Sequence, residues 1–414
     1  QSRNERMFLV TVLVENIASK RQKLFNDILS ASGIAQKYNC ALKRLDYQQE
    51  QGLMSSLALG LNQIEIERGL TTSSTAIFVP FTTCELFQED EALYYGLNAL
   101  SNNLIMANRK NLKNPNGLFL GTPGSGKSFS AKREIVNVFL LTEDDIIIAD
   151  PENEYGPLVQ QFGAQGQVID ISPTSTNYIN PMDINLDYSD DENPITLKSD
   201  FILSLCDLII GGKEGLSPIE RTIIDRCTRL VYRDYLQDPR PENMPILGDL
   251  YEILAASPET KRLANILNRL VNGSARSFNQ QTNVALDNKY IVLDISELTG
   301  DLLTVGMFVA LDFVWDKAKE NRTAEKAIFV DECWQLIGAS SNRQAAESVL
   351  ELAKTIRGYG GSLVCATQDL NDFFALDDGK YGKGIINNSK TKILLNLEEE
   401  EAQRVQGVLH LSEA

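Results

Sequence analysis

Eight consecutive residues, Gly121-Thr122-Pro123-Gly124-Ser125-Gly126-Lys127-Ser128, follow the pattern G-x-x-x-x-G-K-S/T without a mismatch. The residue types suit one task, holding a chain of phosphates. Glycines let backbone N–H groups converge on phosphate oxygens, and a helix starting near Lys127 adds the positive end of its dipole. Lys127 is placed to reach the β- and γ-phosphates, and Ser128 to hold Mg²⁺ through its hydroxyl. A glycine-rich turn that happens to contain a lysine is the plainer reading, and the flanks argue against it. Gly117-Leu118-Phe119-Leu120 reads as a buried strand, and Phe129 to Leu141 carries apolar positions at helical spacing.

The expected partner of such a cradle is acidic. Lys326-Ala327-Ile328-Phe329-Val330-Asp331-Glu332 reads as a buried strand that delivers two carboxylates at its carboxyl end. In this reading Asp331 supports Mg²⁺ and Glu332 polarises the attacking water, which requires adjacent acids beside the γ-phosphate. A strand that merely ends in a charged turn would look alike, so the pairing with the cradle carries the catalytic reading. Another strand, Ser362 to Ala366, ends at Thr367-Gln368. There the Gln368 amide can bond the γ-phosphate or the water; the alternative is a cap for the helix at Asp369. Arg357, just before that strand, is a candidate arginine finger reaching a neighbouring subunit's nucleotide, an effect of about 10³ to 10⁵ in rate. Lys354, Arg343, Arg276 and Arg404 compete with it, and a surface salt bridge is the bland reading for each.

Alternating apolar runs and helical patterns must position these groups. Residues 7 to 14, a helix over 19 to 38, a strand over Cys40 to Leu45 and a helix over Glu50 to Leu61 suggest a small α/β unit, and residues 62 to 80 read as a connection. Ala92 to Asn98 and Asn103 to Ala107 look like paired strands. Asp144 to Asp150 reads as a buried strand whose end, Asp150-Pro151-Glu152-Asn153-Glu154-Tyr155, puts three acids where α/β sheets present ligands. Gln167 to Ile171 is a third strand. Helical patterns then dominate (Leu197 to Ile210, Pro218 to Leu236, Leu247 to Ala256, Glu259 to Val271), with turns at Gly211-Gly212 and Pro239-Arg240-Pro241. The α/β pattern resumes with a strand over Lys289 to Ile295, helices over Leu302 to Glu320 and Gln344 to Ile356, and a last strand over Lys392 to Leu397 before the acidic helix start at Glu398.

Length and composition bound the answer further. A chain of 414 residues, 43% hydrophobic, supports two or three domains with real cores. With 39 basic and 56 acidic residues the net charge is −17, which argues against a generally basic surface coating nucleic acid while leaving room for a local basic channel. Six cysteines without a C-x-x-C pair indicate neither a disulfide framework nor a zinc knuckle, and fit a reducing cytoplasm. The single histidine, His410, reads as a surface residue, so histidine-based acid/base or metal chemistry is not expected. No apolar run reaches about 18 residues, the length a membrane span needs. The chain starts at Gln1 and stops at Ala414 within a helical pattern, which reads as a piece of a longer protein.

Taken together, GTPGSGKS, IIIADPENEYGPL, NPMDI, LSPIERTIIDRC, AIFVDECWQL and GGSLVCATQ resemble the cytoplasmic ATPase of conjugative type IV secretion systems, the TraC/TrsE-like class of the FtsK–HerA superfamily. The resemblance covers about residues 90 to 414. Residues 1 to 80 are similar, less distinctively, to the end of that family's N-terminal domain. It implies an α/β fold, a RecA-like P-loop NTPase core in residues 81–186 and 284–414, with an all-helical insertion at 187–283. It also implies ATP and Mg²⁺ as cofactors and hexamers as the working form, a monomer being open for an isolated fragment. Partners would be other secretion components including the coupling protein, at the cytoplasmic face of the cell membrane. Carried onto matching positions, Lys127 and Ser128 are the loop residues, Asp331 and Glu332 the acidic pair, Gln368 the sensor, and Glu154 part of an acidic motif. Two other classes compete: a DNA-translocating motor of the coupling-protein or HerA type, with direct DNA contact, and a subunit that binds nucleotide without hydrolysing it. Steeply salt-dependent DNA affinity together with DNA-stimulated hydrolysis would put the DNA motor first.

Overall fold

A computed structural model describes residues 5–57, 59–78, 85–186, 193–210, 215–338, 341 and 343–409. His410, the Gly211-Gly212 turn and residue 187, the expected start of the helical insertion, lie outside the described residues. The chain divides into two compact units, residues 1–84 and 85–414.

The first unit contains β1 (Met7–Val10), α1 (Arg21–Lys37), α2 (Gln49–Ser56), β2 (Arg68–Thr71) and α3 (Thr72–Ala76). β1 pairs antiparallel with β2, Met7 opposite Thr71 and Val10 opposite Arg68. Two sequence expectations fail here. Cys40 to Leu45 forms no strand, and the segment read as a connection supplies β2. The physical reason is pairing: a strand exists only where a second backbone edge accepts its hydrogen bonds, and β1 finds that edge at residues 68–71.

The second unit is built on β3 (Leu93–Leu97), β4 (Leu104–Ala107), β5 (Gly117–Leu120), α4 (Lys127–Leu141), β6 (Asp145–Asp150), α5 (Gly156–Phe162) and β7 (Gly166–Asp170). A helical stretch follows: α6 (Pro194–Ile210), α7 (Pro218–Val231), α8 (Arg233–Gln237), α9 (Leu247–Ala255) and α10 (Lys261–Val271). The chain then returns through β8 (Tyr290–Asp294), α11 (Asp301–Glu320), β9 (Lys326–Val330), α12 (Trp334–Ile337), α13 (Arg343–Thr355), β10 (Gly361–Thr367), α14 (Leu370–Phe373), α15 (Lys380–Asn388), β11 (Thr391–Leu394) and α16 (Glu399–Leu409). β3 and β4 pair antiparallel, as the sequence suggested.

Seven strands form one parallel sheet in the order β11-β5-β10-β9-β6-β8-β7. The chain steps from β5 to β6 in one direction and from β8 to β9 to β10 in the other, so right-handed crossovers place α4 and α11 on opposite faces. Side-chain alternation follows. Ile146 and Ile148 of β6 pack with Ile135 and Val138 of α4 on one face, whereas Ile147 joins Ile328, Val330, Val305 and Leu352 on the other. Both faces are covered, which is why these strands read as unbroken apolar runs.

The helical stretch shares this second core: Phe201 of α6 stacks on Phe308 of α11, ring centroids 4.8 Å apart. The start of α7 is written locally. Ser217 accepts from the Glu220 N–H and the Glu220 carboxylate accepts from the Ser217 N–H at 2.9 Å, a capping box with Pro218 at the first helical position. The helix expected over Pro218 to Leu236 is interrupted at Tyr232, whose buried hydroxyl donates to the Met182 carbonyl at 2.5 Å. Among the described residues no helix is long and apolar enough to cross a membrane.

α4 is tied down by a buried ion pair. Arg109 is 7% exposed; it pairs with Glu134 of α4, and its Nε donates to the Tyr95 hydroxyl at 3.1 Å. Gly117 opens β5 because a Cβ there would run into the Arg109 guanidinium. Arg109→Ala leaves the Glu134 carboxylate buried without its partner, so urea denaturation should show a loss of about 3–5 kcal/mol. The double replacement of both residues by alanine should lose less than the two single losses summed.

Candidate active site

Four neighbouring strands carry the site at their carboxyl ends. Leu120 of β5 lies opposite Thr367 of β10, Cys365 of β10 opposite Val330 of β9, and Val330 opposite Ala149 of β6. The residues that follow each strand therefore emerge side by side, strands about 4.8 Å apart: the glycine loop, Gln368, the Asp331-Glu332 pair and the Asp150–Tyr155 turn.

The loop has the form its residues demand. Gly124 and Gly126 take the left-handed φ values of +78° and +90°, which a side chain would strain, and α4 starts at Lys127, as the sequence suggested. The loop is anchored at its start. Thr122 donates through both N–H and Oγ1 to the Asn396 carbonyl at 3.0 Å, and Leu395 N–H donates to the Leu120 carbonyl at 2.8 Å. The strand expected over Lys392 to Leu397 accordingly ends at Leu394, its last residues turning to hold the loop. The first-turn N–H groups of α4 have no carbonyl one turn back to accept them. The Ser125 Oγ is buried without a hydrogen-bond partner among the described residues. A cradle of unclaimed donors fits phosphate oxygens.

Lys127 closes the site. Its Nζ donates to Asp331 Oδ1 at 2.8 Å and to Glu332 Oε1, with lysine 6%, aspartate 2% and glutamate 1% exposed. Burial works against the ammonium, but the two carboxylates outweigh it and hold its pKa above the ordinary lysine value. Glu332 is moved the other way: burial dominates and raises its pKa above the usual 4.5, although Lys127 opposes. Glu332 also sits at a left-handed φ of 47°, an uncommon conformation for glutamate that turns its carboxylate back toward Lys127 and Trp334.

Two residues that the motif reading passed over orient the acids. The Tyr155 hydroxyl donates to Asp331 Oδ2 at 3.0 Å, and the Trp334 indole N–H donates to Glu332 Oε2 at 2.6 Å. Tyr155 is delivered by the acidic turn: the buried Asp150 carboxylate accepts from the N–H groups of Glu152, Glu154 and Tyr155 at 3.3, 3.1 and 2.8 Å. Burial, and then Asp331, raise the Tyr155 pKa far above 10, so it stays a donor. Tyr155 follows Glu154 directly and Trp334 lies two residues past Glu332, so the signal was an aromatic donor beside each acidic motif. Glu154 itself pairs with Lys132 of α4 at 3.4 Å, and Lys132 stands 5.4 Å above the Tyr155 ring.

Gln368 emerges half-buried directly after β10, between the loop and the acids, and the cap of α14 is Asp369, whose carboxylate accepts from Asp372 N–H at 2.9 Å. Ser128 is the second residue of α4. Arg357 lies elsewhere: it precedes β10 at the amino ends of the strands and donates to the Lys113 carbonyl. Of its rivals, Arg343 pairs with Asp377 at 3.0 Å, Lys354 with Glu351 at 3.7 Å, and Arg404 donates to Asn371 at 2.9 Å; Arg276 is exposed.

Comparison with known proteins bears on the fold. Residues 257–414, which include Asp331, Glu332 and Gln368, match the family model described as the TraG P-loop domain. The chain is similar to the structure of VirB4 of Thermoanaerobacter pseudethanolicus, at 24% identity over 80% of this chain and 90% of that one, with a TM-score of 0.71. It is also similar to the bacterial conjugative coupling protein TrwBdeltaN70 in its trigonal form in complex with sulphate, at 13% identity over 78% of this chain and 77% of that one, TM-score 0.52. These likenesses establish a P-loop NTPase fold. No curated protein matches the chain.

Tyr155→Phe keeps the ring and removes only the donor to a charged acceptor. It should lower stability by about 1.5–3 kcal/mol in urea denaturation without changing the far-ultraviolet circular dichroism.

Proposed function

We propose that this chain is the ATPase that energises assembly of, or substrate transfer by, a type IV secretion or conjugation machine. The observation that carries the reading is Lys127 of the glycine loop lying against Asp331 and Glu332, which joins a phosphate cradle to an acidic pair in one buried site. The family match over residues 257–414 and the likeness to VirB4 support the biological setting.

The roles follow from position. Backbone N–H groups of Gly124, Gly126, Lys127 and Ser128, with the Ser125 hydroxyl, would receive the phosphates, and Lys127 would exchange its carboxylates for phosphate oxygens. Ser128 and Asp331 would hold Mg²⁺, which when bound neutralises charge on the β- and γ-phosphate oxygens. Tyr155 keeps Asp331 oriented once Lys127 has turned away. Glu332, steadied by Trp334, accepts the proton of the attacking water, and Gln368 contacts the γ-phosphate or that water. Working as a hexamer at the cytoplasmic face of the membrane, with the coupling protein among its partners, the ring would receive an arginine in trans, Arg357 being the first candidate. Residues 187–283 are assigned as the helical insertion of this motor.

The likeness to TrwBdeltaN70, a conjugative coupling protein, favours a second reading, a DNA-translocating motor of the same fold. DNA-stimulated turnover would select it.

ATP turnover of the chain, Lys127→Ala and Glu332→Gln decides the enzymatic claim. Each variant should lose about 10²-fold or more in kcat, and equal turnover in all three would refute hydrolysis at this site. Because Glu332 must be ionised to act as base, kcat/KM should fall as pH decreases through a group titrating above 4.5, and that limb should be lost in Glu332→Gln. Turnover per chain should rise with protein concentration as neighbours supply the trans arginine, and Arg357→Ala should remove the rise.

A further inference from the structure

Arg357 stands on the short helical turn Ile356–Tyr359, just before β10. The seven residues of β10 span roughly 20 Å, so this turn lies at the opposite end of the sheet from the chain's own phosphate cradle. Exposed turns are ordinarily among the more mobile parts of a fold. This one is fastened from several sides.

Lys326 supplies the first fastening. It is 5% exposed, and its ammonium donates to the carbonyls of Asn321, of Ala324 at 2.6 Å and of Tyr359 at 3.2 Å. Burial pushes its pKa below the ordinary lysine value. A buried ammonium is costly unless all three of its donors are met, so the end of α11, the turn into β9 and the turn carrying Arg357 are held to one arrangement. The backbone adds to this: Lys326 N–H donates to the Gly360 carbonyl at 3.1 Å, and Gly360 N–H to the Arg357 carbonyl at 3.3 Å. Gly360 takes a φ of +72°, and a Cβ there would meet the Ala324 carbonyl oxygen at 2.8 Å. The half-buried Tyr359 ring is the last fastening. Trp315 of α11 stands edge-on to it, centroids 4.9 Å apart, and the Arg322 guanidinium lies 4.5 Å above its face. Arg357 itself projects as an exposed side chain from this rigid base.

We propose that Tyr359, held by Lys326 and Trp315, is a positioning residue for Arg357. It fixes the turn so that the guanidinium meets the phosphates of a neighbouring copy already oriented, without the cost of ordering a loop. The assignment rests on the reading of Arg357 as an arginine acting in trans.

Turnover per chain would be measured against chain concentration for the unaltered chain, Arg357→Ala, Tyr359→Leu, Tyr359→Phe and the double variant of Tyr359→Leu with Arg357→Ala. Sedimentation would follow the oligomer mass at the same concentrations. Tyr359→Leu should keep the turnover of the dilute chain and its KM for ATP, and lose roughly tenfold or more of the concentration-driven rise in kcat at unchanged mass. Tyr359→Phe retains the ring and should keep the rise. Because the tyrosine acts through the arginine, the double variant should lose no more than Arg357→Ala alone. If Tyr359→Leu does not fold, Trp315→Phe makes the same test more mildly and should lose about threefold of the rise. A rise that survives in Tyr359→Leu, or in Trp315→Phe standing in for it, but not in Arg357→Ala overturns the positioning role alone. An additive loss in the double variant, or a loss of oligomer mass in Tyr359→Leu, does the same. A rise that survives in Arg357→Ala overturns the trans-arginine reading and this proposal with it.

Discussion

The Lys127 ammonium keeps its charge inside the protein because Asp331 and Glu332 lie against it, and the arrangement of the sheet exists to make that meeting happen. Residues 204 and 205 positions apart in the chain are brought together because β10 separates the loop strand β5 from the acid strand β9 by one strand width on either side. At that spacing a lysine starting in α4 can span the gap, and Gln368 falls into it. Three charged groups withdrawn from water would be destabilising separately; paired and bonded to Tyr155 and Trp334 they are tolerated.

The same contact makes the site responsive. With Lys127 engaged by the acids, the carboxylates proposed for metal and water are shielded by the chain's own cation, and a triphosphate would have to compete for it. The exchange substitutes one set of charge-assisted bonds for another, so its net free energy is far smaller than either set. In the proposed exchange Tyr155 and Trp334 would keep the two acids oriented. The Asp150 carboxylate, by collecting three N–H groups of its own turn, converts a flexible Pro-Glu-Asn-Glu segment into a fixed mount for Tyr155.

The two faces of the sheet divide the labour. α4 and its buried Arg109–Glu134 pair fix the phosphate loop from one side. On the other, α11 leads directly into the acid strand, and α12 and α13 follow directly from Glu332. The helical stretch from α6 to α10 packs onto these helices in one continuous core.

Residues within a few positions of each other determined much of this protein. The glycine loop, the apolar runs ending in acids, the capping box at Ser217 and the α/β alternation could be read because hydrogen-bonding, φ preference and burial on both faces act locally on residue choice. Tertiary structure alone decided the rest. Whether residues 40–45 or 68–71 would form a strand depended on which edge β1 could reach. That the Tyr232 hydroxyl at the end of α7 would meet the Met182 carbonyl depended on how the helices pack. That Tyr155 and Trp334 would hold Asp331 and Glu332 depended on strand order and on the left-handed turn at Glu332. A side chain's type records what it can donate or bury, but its partner is set by which strand ends lie side by side.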